Sequence, residues 1–130
     1  MESRDSIKKK SFKRFFSSFK HSFDGLYVAY RDEQSMLLHL VATIIVVTGG
    51  IYFGIDLLEW LIVAILIGLV LGAELINTAI EAVTDIASPD YHDLAKVAKD
   101  TASASVLVYS TVAMIGGIII FGPRIFELFM

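Results

Sequence analysis

Residues 74–85 read ELINTAIEAVTD, and they extend an apolar run, LLEWLIVAILIGLVLGA, that begins at Leu57. The apolar run carries one charge, Glu59, near its start. The extension keeps apolar residues at helical spacing and adds Glu74, Asn77, Glu81 and Asp85 at i, i+3, i+7 and i+11. At 100° per residue these fall at about 0°, 300°, 340° and 20°, one narrow face of a single helix. A helix apolar enough for a bilayer, with its polar residues gathered on one face toward one end, sets the frame for the rest of the chain.

Two further runs share the apolar character. Met36–Ile55 reads MLLHLVATIIVVTGGIYFGI, with one His and no charge, and Ala102–Gly122 reads ASASVLVYSTVAMIGGIIIFG, also uncharged. A hydrocarbon core takes about 20 residues at about 1.5 Å each. Three runs of that size predict three transmembrane helices, because in lipid only helices and closed barrels satisfy every backbone N–H and C=O. The runs are continuous where barrel strands would alternate. The 130 residues are 55% hydrophobic with a mean hydropathy of +0.67, too apolar for an ordinary water-soluble domain of this length. That length also excludes a two-domain Rossmann enzyme, a TIM barrel or a protein-kinase fold. With no cysteine, disulfides and thiolate chemistry are excluded.

Net charge is −3, an average over two unlike parts. Residues 1–31 hold eight Lys/Arg against three acids, net +5, which leaves −8 for the other 99. A basic start ahead of apolar runs points to a membrane surface. Within it Phe12, Phe15, Phe16, Phe19, Phe23, Leu26, Tyr27 and Tyr30 recur at i, i+3, i+4 and i+7. This is one aromatic stripe, expected of an amphipathic helix lying at the headgroups. The segment lacks the compact apolar core of a cleaved signal peptide. Lys/Arg placement predicts a cytoplasmic amino terminus and a cytoplasmic second loop (Lys96, Lys99). The first turn (Asp56, Glu59) and the Arg124 tail then lie outside. The fold expected is an all-α integral membrane protein forming one domain over 1–130. A surface helix spans 1–34, and helices over 36–55, 57–85 and 96–122 contain the spans, with a break at Pro89. Gly49-Gly50, Gly116-Gly117, Gly68 and Gly72 are expected where helices approach closely, and Tyr52 and Trp60 at the outer interface.

Counting inward from Leu57 places Glu74 near the inner edge of the hydrocarbon, with Glu81 and Asp85 beyond it. The third helix brings a matching face, Lys96, Lys99, Asp100 and Ser103. Carboxylates with a Lys suit divalent metal and phosphate. Lys99 paired with Asp85 or Glu81 as a structural bridge explains any one charge, but not the whole face in register. Glu33 precedes the first span, as a cap or as part of the same layer, and His39 inside that span reads as a packed polar residue. No GxxxxGK[ST] occurs.

ELINTAIEAVTD followed by YHDLAKVAKD (Tyr91–Asp100) resembles the prokaryotic diacylglycerol kinase family, and the motifs, their separation and three spans cover nearly the whole chain. KRFFSSFKHSFDG (Lys13–Gly25) with Glu33, Gln34 and His39 resembles the undecaprenol kinases of Gram-positive bacteria. Met36-Leu37 stand where many relatives have Phe-Arg, and His21 where some have Tyr. The resemblance implies a homotrimeric kinase of the bacterial plasma (inner) membrane, with sites shared between protomers under the surface helix. It moves the γ-phosphate of ATP to the hydroxyl of undecaprenol, or alternatively of diacylglycerol. It implies Glu74 as general base at the lipid hydroxyl, Ser103 near the lipid headgroup, and Glu33 and Glu81 on Mg²⁺. Asn77 and Lys99 would position the phosphoryl group. Arg14, His21, Asp85, Asp90, Tyr91, His92 and Asp100 would lie about the ATP, together with Glu33, Glu81 and Lys99. A distant alternative, a small ion-coupled transporter using Glu74, would need a polar path through both halves of the membrane, and the outer halves here are apolar.

Overall fold

The computed structural model describes residues 4–130, with side chains from Phe12 onward. Four helices follow one another: α1 (Arg4–Asp32), α2 (Gln34–Phe53), α3 (Leu57–Ala87) and α4 (Asp93–Glu127). The chain divides into two compact units, one ending at Glu33 and the other Gln34–Met130.

In the first unit the serines of α1 satisfy backbone carbonyls of the preceding turn, Ser18 donating to Arg14 and Ser22 to Ser18, both at 3.0 Å. Phe15 meets Phe16 and Phe19 edge-on, with centroids 5.9 and 5.0 Å apart. The rings of Phe12, Phe15, Phe16, Phe19, Phe23 and Tyr27 are exposed, whereas Leu26 and Tyr30 are half-buried. At the helix end the Arg31 guanidinium hydrogen-bonds Asp32 at 2.6 and 2.7 Å, which holds that carboxyl below its ordinary range.

In the second unit, α2, α3 and α4 are each long and apolar enough to cross a membrane. α3 and α4 share the longest seam, and α2 touches both over a shorter length. A five-residue connection joins α3 to α4, and cross-pairs at both ends make them antiparallel. At one end Arg124 grips Glu59 bidentately at 2.9 and 2.8 Å, and at the other Lys99 reaches Asp85.

The α2–α3 turn follows from three residues. Gly54 takes φ +60, a left-handed conformation that favours glycine, and the Ile55 N–H folds back onto the Gly50 carbonyl at 3.2 Å. Asp56 then caps α3 reciprocally with Glu59, each side chain accepting the other's backbone N–H at 2.9 Å. Ile55, Val63 and Ile120 form the buried core beside this turn, packed by Val46, Phe53, Trp60, Ile67 and Phe121. The polar face of α3 begins 11 residues after Val63, about 16 Å along the helix.

Several helix boundaries differ from the expected ones. α2 starts at Gln34 and ends at Phe53, because Gly54 turns the chain. α4 starts at Asp93, before the expected 96, because the His92 ring accepts the Leu94 N–H at 3.1 Å and caps the helix. It continues through Pro123 to Glu127. The expected glycine contacts are met only in part. A Cβ on Gly50 would meet the Trp60 ring at 2.7 Å, and one on Gly116 would meet Leu66 Cδ1 at 2.6 Å. Gly68, Gly72 and Gly117 face open space within the chain. Trp60 is thus a packing residue on Gly50, while Tyr52 is exposed.

Candidate active site

Glu74 is the one buried charged side chain among the described residues, 3% exposed. An isolated carboxylate in such a place costs several kcal/mol, so it needs a partner. That partner is His39 of α2, whose Nε2 lies 3.1 Å from Glu74 Oε1. His39 also lines an apolar groove of about 330 Å³ between α2, α3 and α4, together with Val46, Val63, Val70, Met114 and Phe121 among others.

One turn further along α3 the environment becomes polar. Asn77 Nδ2 donates to Glu81 Oε1 at 3.3 Å, and Asn77 Oδ1 is buried with no partner. One turn beyond, Asp85 accepts from Lys99 Nζ at 2.5 Å, which ties α3 to α4. The predicted face is therefore continuous in space: Glu74 at the apolar boundary, then Asn77–Glu81, then Asp85–Lys99. The bridge that composition left open between Asp85 and Glu81 goes to Asp85.

The other candidates are placed less tightly. Asp100 pairs with Lys96 along α4, and Ser103 is exposed on the same helix. Asp90, Tyr91 and His92 lie in the α3–α4 connection, where the Asp90 carbonyl accepts from Ser88, Tyr91 is exposed and His92 caps α4. Arg14 and His21 are exposed on α1, where Ser17 Oγ meets His21 Nε2 at 3.3 Å. Glu33 follows α1, and its N–H still bonds the Ala29 carbonyl at 3.0 Å. Among the described residues no three His, Asp or Glu side chains gather into a metal cage. The donor set is hard carboxylate oxygen, which suits a Mg²⁺ ion bound by one or two carboxylates and otherwise by substrate phosphates.

The residue that sequence reasoning undervalued is His39. Its signals are its being the lone imidazole in an otherwise apolar run and its place after Glu33 and Gln34 in the resemblance. The rotation of α2 that turns it onto Glu74 is a tertiary fact.

The family described as prokaryotic diacylglycerol kinase matches residues 20–121. The chain is 36% identical to the undecaprenol kinase of Bacillus subtilis, over 96% of this chain and 100% of that protein. It is also 36% identical to a diacylglycerol kinase of Helicobacter pylori over 78% of this chain and 79% of that one. A diacylglycerol kinase of Escherichia coli K12 is 33% identical, over 80% of this chain and 85% of its own length. Matches of this extent place the chain in the prokaryotic diacylglycerol kinase family, whose members are membrane lipid kinases drawing their phosphoryl group from ATP.

Proposed function

We propose that this protein is an undecaprenol kinase, which transfers the γ-phosphate of ATP to the hydroxyl of undecaprenol to give undecaprenyl phosphate. The observation that carries this is Glu74, a buried carboxylate whose partner His39 lines the apolar groove and whose helix continues into a polar face. An isoprenoid chain suits the groove, and its terminal hydroxyl then stops at Glu74. That carboxylate takes the hydroxyl proton as the oxygen attacks the γ-phosphorus. Asn77 and Lys99 hold the transferred phosphoryl group. Glu33 and Glu81 hold Mg²⁺, which when bound neutralises charge on the bridging phosphates. Arg14, His21, Asp85, Asp90, Tyr91, His92 and Asp100 surround the nucleotide, and Ser103 meets the lipid headgroup. Lys99 leaves Asp85 for phosphate when ATP arrives, an inexpensive exchange because the pair is largely exposed.

We place the amino terminus and the polar face in the cytoplasm of a bacterial plasma membrane, from the Lys/Arg distribution. Helix α1 lies amphipathically at the headgroups, supported by its exposed aromatic residues. The working unit is a homotrimer with sites completed between protomers. Only 11–22% of the apolar span windows are buried within one chain, so much surface is left for lipid and neighbouring copies. The second reading is a diacylglycerol kinase, favoured by the relatives of that name at similar identity.

The test is direct. Purified protein in micelles, with Mg²⁺ and γ-labelled ATP, is given undecaprenol, a short diacylglycerol or no lipid. Label entering undecaprenyl phosphate supports the proposal, and label entering only phosphatidic acid transfers it to the second reading.

A further inference from the structure

We propose that His39 is a positioning residue for phosphoryl transfer, holding the Glu74 carboxylate in one orientation through an Nε2–H hydrogen bond. The inference rests on the reading of Glu74 as the general base. Two observations carry it. His39 Nε2 lies 3.1 Å from Glu74 Oε1 as an ion-pair contact, and Glu74 makes no side-chain hydrogen bond to any other group among the described residues. The carboxylate is almost fully buried, whereas the imidazole retains 22% exposure, so the ring reaches in from the groove side and the acid cannot turn to water for a substitute.

The chemistry follows from lone pairs. A carboxylate oxygen only accepts, so the facing nitrogen must carry the proton. Oε1 is then occupied, and Oε2 is left to receive the proton of the lipid hydroxyl. Without the imidazole the carboxyl group can rotate about its last torsion, which is broad, and part of the population presents the wrong lone pair. A hydrogen bond to a charged group is the stronger kind. Its loss is expected to slow turnover about 10- to 100-fold, the size typical when a group that orients a reacting ligand is removed. The effect falls on kcat with little change in the KM for ATP, because His39 is on the lipid side of Glu74.

The experiment compares His39→Ala, His39→Gln and Glu74→Gln in the full-length protein, using steady-state kinetics with both substrates varied and thermal unfolding in the same micelles. It adds the ¹⁵N spectrum of the His39 ring in the unmutated protein. The expected result has three parts: His39→Ala loses kcat at unchanged ATP KM, His39→Gln, whose amide keeps an N–H donor, regains most of it, and the ring is protonated on Nε2. A ring protonated only on Nδ1 overturns the proposal, and being read on the unmutated protein it holds even where a variant fails to fold. Full turnover in His39→Ala with a dead Glu74→Gln also overturns it and leaves the base assignment standing. An active Glu74→Gln removes the base assignment itself.

Discussion

Changing Glu74 to Gln swaps one carboxylate oxygen for an NH₂ group and alters almost nothing in volume. The site is 3% exposed, so its solvation hardly enters, and the geometry sets the balance. The His39 contact at 3.1 Å passes from one with a carboxylate to one with a neutral amide, a loss of about 1 kcal/mol. Against this, a neutral amide is less costly to bury than a carboxylate. The two changes oppose, and the fold should keep its stability to within about 1 kcal/mol. Catalysis has no such offset. A positioned base is worth about 10²- to 10⁴-fold, or about 2.7–5.4 kcal/mol of barrier at about 1.36 kcal/mol per factor of ten. The assay is initial-rate transfer of label from ATP to lipid, run beside nucleotide binding and detergent-induced unfolding. Predicted are a drop in kcat of at least a hundredfold, unaltered ATP binding and an unaltered unfolding midpoint. Turnover within tenfold of the unmutated protein would refute the reasoning, because a proton acceptor that can be removed so cheaply is not the acceptor.

Three further outcomes follow from the same coordinates. Lys99→Met removes a bridge whose side chains are 38% and 65% exposed, so the unfolding midpoint should hardly move while kcat falls about a hundredfold or more; a matching loss in Asp85→Asn would mean that the bridge alone matters. Arg124→Met should cost about 1–3 kcal/mol in unfolding assays, since it breaks a half-buried bidentate grip on Glu59, yet leave kcat within twofold. Gly50→Ala should destabilise by about 1–3 kcal/mol because its methyl meets the Trp60 ring at 2.7 and 2.9 Å, whereas Gly116→Ala meets the flexible end of Leu66 and should cost less than about 1 kcal/mol in the same titration.

What could be read from the chain before its structure divides along physical lines. Apolar run length and charge-free composition are local properties, so the three long helices were legible, and the break around Pro89 with them. The Glu74–Asp85 face was legible because a helix fixes the angle between residues of one segment. Relations between segments were not. Nothing in MLLHLVATII says which way α2 is turned, so His39 looked like an isolated imidazole when it is the partner of a buried acid. Glu59 and Arg124 were placed at the same membrane side by charge counting, but their pairing across 65 residues depends on the lengths of α3 and α4 matching. Gly68 and Gly72 have the spacing of a helix contact and make none within the chain. Helix starts also moved where a cap intervened. The His92 ring, which the resemblance puts near the nucleotide, also caps α4, a role that periodicity does not reveal.

On the proposed function, the groove lined by His39, the partner of Glu74, admits a polyprenyl alcohol for phosphorylation. The most direct measurement of this is a competition: undecaprenol and a short diacylglycerol in the same micelles, limiting γ-labelled ATP, and the ratio of the two labelled products. That ratio is the ratio of kcat/KM values, free of differences in enzyme preparation. The account predicts at least tenfold more label in undecaprenyl phosphate. Equal labelling, or an excess in phosphatidic acid, would contradict it.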